Sequence, residues 1–329
     1  MANVQKYFEE FHDKIRIDYE TNATLREKRD IILDRISKYL KDNDLPGFDA
    51  LMQGSYAFGT GVTPLEGIEF DIDVGLCFKI SDKEYTPQEV HGWIFKAVDG
   101  HTEKVEDRGP CIRVTYADGY HVDLVPYARW EDANKVTNYR LGHKDKGWRQ
   151  ADPVELLDYV KKARTAFSGT EDDKTKTDQF RRCVRYLRRW HDTIAPGKLR
   201  SKPTGLAFIL MTVNGLQPAK FFDGKPDDRG ALEKMAQRYG QTIGRITAIK
   251  PTPEYEDILA RLTDQDMDNL KSRYRDLAAG LRAADQESDP VEACKILRKF
   301  FGPDFPVPSP ENTGKKTKAP AIVTSSSSA

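Results

Sequence analysis

Three aspartates in this chain have the type and spacing to do chemistry. Asp71 and Asp73 stand two residues apart in "IEFDIDVGLCF", and Asp123 sits in "YHVDLVPY". Side chains alternate faces along a strand, so Asp71 and Asp73 would share one face, with Ile72 on the other. Two neighbouring carboxylates repel, and persist where a cation neutralises them or solvent screens them. If the strand carrying Asp123 lies beside the first, three carboxylates converge. Such a set can hold two Mg²⁺ ions about 3.5–4 Å apart, the arrangement for in-line phosphoryl displacement. One ion lowers the pKa of an attacking hydroxyl and the other stabilises departing pyrophosphate. Mn²⁺ is an admissible substitute.

Just upstream, "QGSYAFGT" supplies Gly54 and Ser55. A glycine lets backbone approach a phosphate closely, and the N–H groups that follow can cradle the anion together with the Ser55 hydroxyl. A lone D-x-D is often only a solvated strand edge. The ordered combination, a Gly-Ser, then D-x-D, then a third strand aspartate, favours the site over that reading.

The elements that must position these residues can be read from periodicity. Residues 4–42 read as helix, with Phe8, Phe11, Ile15, Leu25, Ile32, Ile36 and Leu40 at helical spacing, and "DNDLPG" ends the segment. "IEFDIDVGLCFKI", "PCIRVTY" and "YHVDLVPY" read as strands, the last two joined by an "ADG" hairpin signal. "TPQEVHGWIFKAVDG" reads as a helix beside that sheet. After about residue 150 helices dominate: "DPVELLDYVKKARTAF", "TDQFRRCVRYLRRWHDTI", "GLAFILMTVNGL", "RGALEKMAQRYGQTI" and "DPVEACKILRKFFG". The expected organisation is N-terminal helices over 1–45, a catalytic core over 46–150, a helical domain over 151–305 that closes a cleft, and a disordered tail over 306–329.

In "TDQFRRCVRYLRRWHDTI", Phe180, Val184, Leu187 and Ile194 form an apolar stripe beside Arg181, Arg185 and Arg188. The basic stripe is either a solvated face or an electropositive wall toward triphosphate. Tyr127 and Trp130 could stack on a base, with core packing the favoured reading.

Composition bounds the alternatives. Lys plus Arg and Asp plus Glu number 52 each in 329 residues, which argues against a coat for long nucleic acid, because such binding rests on many phosphate contacts. No apolar run approaches membrane-span length and the N-terminus lacks a signal-like apolar stretch, so a cytoplasmic protein is expected. The four cysteines, Cys77, Cys111, Cys183 and Cys294, form no C-x-x-C and read as free thiols.

The G-S…D-x-D…D constellation resembles that of the polymerase-β-like nucleotidyltransferase superfamily. Within it, "QGSYAFGTGVTPLEGIEFDIDVG" and "HVDLVP" look most like the CD-NTases, the DncV-like bacterial nucleotidyltransferases of anti-phage CBASS systems. The resemblance covers roughly residues 1–305. It implies an α+β fold, with a mixed sheet and flanking helices, a C-terminal helical domain and the active site in the cleft between them. It implies a Mg²⁺-dependent enzyme that makes a cyclic di- or trinucleotide from ATP, GTP or other triphosphates and releases pyrophosphate. Asp71, Asp73 and Asp123 would bind metal, and Gly54 and Ser55 the donor phosphates. In the family an L-K-x-W helix supplies a lysine to the triphosphate, and a serine before a glycine assists. "LRRW" and "KPTGLAF" match in outline and map Arg188 and Thr204 to those roles, each departing from the family residue. The chain end resembles that of relatives whose C-terminal residue is conjugated to a target, so Ala329 is an expected acceptor for a ubiquitin-transfer-like enzyme. A linear 2′-5′-oligoadenylate-type synthase or other nucleotidyltransferase, and a non-catalytic nucleotide-binding scaffold, are the alternatives. The intact aspartate set speaks against the scaffold, and the absence of an inserted Zn ribbon speaks against activation by nucleic acid.

Overall fold

The computed structural model describes residues 3–17, 23–65, 70–117, 119–193 and 202–309. Ile194, Ala329 and the tail from 310 onward lie outside them.

Two helices, α1 (Gln5–Ile15) and α2 (Ala23–Asp42), open the chain. The helical stretch read over 4–42 is interrupted after Ile15. Arg16 leaves α1 in extended conformation and pairs with Val62, and Ile17 N–H donates to Gly61 O at 3.2 Å. Those hydrogen bonds replace the ones a continuing helix would have made.

The sheet contains β1 (Phe48–Met52), β2 (Phe70–Phe78), β3 (Lys104–Asp107), β4 (Ile112–Tyr116), β5 (Tyr120–Glu131), β6 (Thr137–His143) and β7 (Gly147–Gln150). Its main order is β1-β2-β5-β4-β3, and β6 and β7 extend from the far end of β5. Among the described strands only β2 and β5 run parallel; the other pairs are antiparallel. The expected hairpin is present as β4–β5. The β6–β7 hairpin was not anticipated: "TNYRLGH" and "GWRQ" are too polar for a strand signal.

Period-two alternation divides the sheet's faces. Ile72, Val74, Leu76 and Phe78 of β2 and Val122 and Leu124 of β5 are buried against Ile32, Ile36 and Leu40 of α2. Val90, Ile94 and Val98 of α4 (Pro87–Val98) complete that core, and Thr86 and Glu89 start α4 with a reciprocal capping box. The opposite face of β2 and β5 therefore carries Asp71, Asp73, His121, Asp123 and Tyr127.

A second core joins α1 to the helical part: α6 (Gln179–Asp192), α7 (Gly205–Gly215), α8 (Asp228–Gly240), α9 (Asp264–Gln286) and α10 (Pro290–Phe301). Inside it, Arg182 and Asp228 form a fully buried two-pronged pair at 2.7 and 2.8 Å that ties α6 to α8. The 23-residue α9 was missed amid its charges. Met267, Leu270, Tyr274, Leu277 and Leu281 nonetheless recur at helical spacing and are buried. Short α3 (Gly54–Phe58) and α5 (Pro153–Arg164) stand where the sheet meets the helical part.

Candidate active site

The parallel pairing of β2 with β5 sets the register of the site. Asp73 lies opposite Asp123, and Asp71 lies opposite His121. Because all four project from the same face, the three predicted aspartates do converge. Asp71, His121 and Asp123 each offer a ligand atom, all within 4.8 Å of one another.

The electrostatics are those of crowded like charges. Burial, with Asp71 and Asp123 alongside, pushes the Asp73 carboxyl up to about 7, and Arg113 and Arg188 pull against that rise. Arg113, opposite Asp123 on β4, donates from Nε and Nη2 to the two Asp123 carboxylate oxygens at 2.7 and 2.6 Å. Such a site has carboxylate oxygens in excess of its cationic partners, which is the donor set a hard divalent cation requires.

Gly54 has φ +57, and an added Cβ would stand 1.9 Å from Asp73 Oδ2. Only glycine permits both that backbone conformation and that contact. Gln53 N–H donates to Asp73 O at 3.0 Å, so the turn that opens α3 is stitched to β2 beside the carboxylate. Ser55 follows, and both line the cleft.

That cleft has a volume of about 940 Å³, within the range of ligand sites. The sheet side contributes Gly54, Ser55, Asp71 and Asp73; the helical side contributes Arg188, Thr204, Gly205 and the segment around Lys250 to Arg261. Arg188 donates from Nη1 to Thr60 O at 2.9 Å, and the Thr204 hydroxyl caps α7 by accepting from Ala207 N–H at 3.2 Å. The basic stripe of α6 is thus not a solvated face: Arg185 is buried and Arg188 half-buried. Tyr127 lines the cleft but is buried, its hydroxyl accepting from Gln53 Nε2 at 3.0 Å, whereas Trp130 packs on the core beneath the sheet.

Sequence reasoning missed His121, Arg113 and the 250–261 segment. His121 was legible in principle, two residues before Asp123 and hence on its face. Arg113 required the β4–β5 register, and the Lys250–Arg261 segment has no periodic signal.

The four cysteines are free and buried. Among the described residues no helix is long and apolar enough to cross a membrane.

Comparison with known proteins bears on the same residues. Residues 49–127 match the family model described as "Cyclic GMP-AMP synthase DncV-like, nucleotidyltransferase domain". A c-di-GMP synthase of Roseivirga ehrenbergii is 25% identical over 134 residues, 38% of this chain, and the match spans 35% of that protein, about a third of its length. A probable cyclic AMP-AMP-GMP nucleotide synthase of Salmonella paratyphi B is 22% identical, over 91% of this chain and 89% of that protein. The crystal structure of Vibrio cholerae DncV cyclic AMP-GMP synthase with nonhydrolyzable GTP superposes with a TM-score of 0.72 at 18% identity, covering 93% of this chain and 97% of that one. The matched segment runs from β1 to mid-β5 and contains the Gly-Ser turn and all three aspartates. Residues 49–127 of this chain thus carry a domain similar to the DncV-like nucleotidyltransferase domain, and the chain as a whole has the fold of the DncV structure.

Proposed function

We propose that this enzyme joins ribonucleoside triphosphates, ATP and GTP among them, closes them into a cyclic di- or trinucleotide with release of pyrophosphate, and serves cytoplasmic anti-phage defence. The observation that carries the chemistry is the convergence of Asp71, Asp73 and Asp123 on one sheet face, with Gly54 packed onto Asp73 and Arg188 across the cleft. The cyclic product is supported by the names of the relatives.

Asp71, Asp73 and Asp123 would hold two Mg²⁺ ions. When bound, those ions would supply Lewis-acid stabilisation of the charge on the reacting phosphates. The residues of the chain do the rest. The backbone at Gly54 and Ser55 takes the donor phosphates at the opening of α3. Arg188 adds positive charge from the opposite wall, and Thr204 offers its hydroxyl beside it. Asp123, held by Arg113, helps orient the acceptor hydroxyl. Pyrophosphate release from triphosphates, measured with and without divalent cation, tests this assignment. The Asp71→Asn, Asp73→Asn double variant should keep its circular dichroism and lose release entirely; release at the wild-type rate would contradict it.

Ala329 is proposed as the acceptor end for a ubiquitin-transfer-like conjugating enzyme, on the resemblance of the chain end alone. Intact mass of the protein from infected host cells checks it: an adduct through Ala329 is expected, and its absence under every condition would contradict it.

A further inference from the structure

Three arginines of α6 reach the backbone of the loop that leaves α3, residues 59–63. Arg185 Nε donates to Gly61 O at 3.0 Å, Arg188 Nη1 to Thr60 O at 2.9 Å, and Arg189 Nη2 to Thr63 O at 2.6 Å. The spacing i, i+3, i+4 puts the three guanidinium groups on one side of α6. Arg188 alone of the three lines the cleft. Arg185 and Arg189 are buried, at 5% and 2% exposure, and reach the loop from behind.

The other ends of these two arginines are also engaged. Arg185 Nη1 donates to His12 Nε2 at 2.7 Å. Burial, aided by Arg185, pulls His12 down to about 2, so the ring is neutral and can accept. Arg189 faces Asp304, with Nη1 and Oδ2 3.3 Å apart, and Asp304 also meets Lys14 at 3.1 Å. Burial favours the neutral form of Arg189, and Asp304 opposes it. Asp304 belongs to the segment after α10. Its neighbour Phe305 is fully buried against Phe8, Phe11 and Phe301, and Phe305 O accepts from Arg298 Nε at 2.7 Å.

The loop transmits its position to the phosphate turn. Thr60 N–H donates to Ser55 O at 2.9 Å and Gly59 N–H to Tyr56 O at 3.1 Å, closing α3 directly behind Gly54 and Ser55. On its far side the loop is tied to the end of α1, where Thr63 N–H donates to Ile15 O at 2.7 Å.

We propose that Arg185 and Arg189 are positioning residues for the substrate triphosphate, acting through the carbonyls of Gly61 and Thr63, and that Asp304 sets Arg189, which makes the segment after α10 part of the phosphate site. The proposal rests on the nucleotidyltransferase reading above. A buried guanidinium deprived of its carboxylate either shifts toward solvent or destabilises its surroundings, and both release Thr63 O. A shift of about 1 Å in a phosphate-holding loop is enough to cost an order of magnitude or more in productive binding.

The test uses Asp304→Asn, Arg189→Met and Arg189→Lys in the full chain. Titration calorimetry measures α,β-methylene ATP and α,β-methylene GTP with Mg²⁺, and amide hydrogen exchange follows residues 54–63 without nucleotide. Asp304→Asn and Arg189→Met should weaken the tighter analogue about tenfold and speed exchange at residues 59–63, and Arg189→Lys should recover most of both. A merely structural role would lower the melting temperature without this local signature or this recovery. Unchanged affinity and unchanged exchange at 59–63 in Asp304→Asn, which is partly exposed and should fold, would overturn the proposal. Failure of the wild type to bind either analogue would refute the nucleotidyltransferase reading instead, and the exchange pattern would still decide whether Asp304 and Arg189 hold the loop.

Discussion

Arg113 holds Asp123 with both arms of its guanidinium, at 2.7 and 2.6 Å, from the strand beside it. Asp123 in turn stands opposite Asp73 across the parallel β2–β5 pair. One cation is therefore fixed beside three carboxylates, and it aims the one that the sequence separates most from the others. Arg113→Met should destabilise the metal-free protein by about 2 kcal/mol, the scale of charge-assisted hydrogen bonds in a partly exposed pair. Millimolar Mg²⁺ or Mn²⁺ should restore much of that loss, because a divalent cation replaces the missing charge. Urea denaturation with and without the cation measures both. A loss that the cation does not offset would contradict the assignment.

Asp73 is the member most penalised by its surroundings, raised by burial and by its two neighbours. Asp73→Asn removes one of three crowded charges at little change in shape. In metal-free buffer at pH 8 the variant should be more stable than wild type by about 1–2 kcal/mol while losing divalent-dependent turnover. Calorimetric melting and the pyrophosphate assay give the two numbers. A less stable variant would mean that Asp73 makes favourable contacts that outweigh the repulsion.

Gly54→Ala should fail for a geometric reason. The new methyl would meet Asp73 Oδ2 at 1.9 Å, on a backbone at φ +57. A cost of about 1–3 kcal/mol in stability is expected from the left-handed conformation and the contact together. Turnover should fall at least about a hundredfold, since the shift lands on the phosphate turn and the carboxylate at once. Denaturation and steady-state kinetics check it.

The chain's face for the aspartates was legible because a strand's alternation is rigid: Ile72 and Val122 to the core leave Asp71, Asp73 and Asp123 on the other side. Gly54 was legible as a turn, but the contact that requires glycine there involves Asp73, on β2. The arginines of α6 were legible only as a stripe. Whether they face water, phosphate or a loop depends on packing against residues more than a hundred positions away, such as Gly61 and Thr63. The α1–α2 break at Arg16 was hidden for the same reason, because its cause is a bridge to Val62.

His12 and His191 are held neutral by burial and nearby arginines, at about 2 and about 3. In the unfolded chain both bind a proton near pH 6.5. Below that value the unfolded state therefore takes up protons that the folded state refuses, so stability is present above pH 6.5 and is lost as pH falls. By pH 5 the loss from His12 should be about 2 kcal/mol. His12→Gln, whose side-chain oxygen can still accept from Arg185, should flatten the fall in melting temperature between pH 7 and 5. Parallel wild-type and variant curves would contradict it.

The most direct test of the central claim is product analysis. The purified protein is incubated with all four ribonucleoside triphosphates and Mg²⁺, treated with phosphatase and examined by mass spectrometry. A phosphatase-resistant cyclic di- or trinucleotide, absent from the Asp71→Asn, Asp73→Asn variant, is the predicted result. Linear oligonucleotides alone, or a product that persists in the double variant, would contradict it.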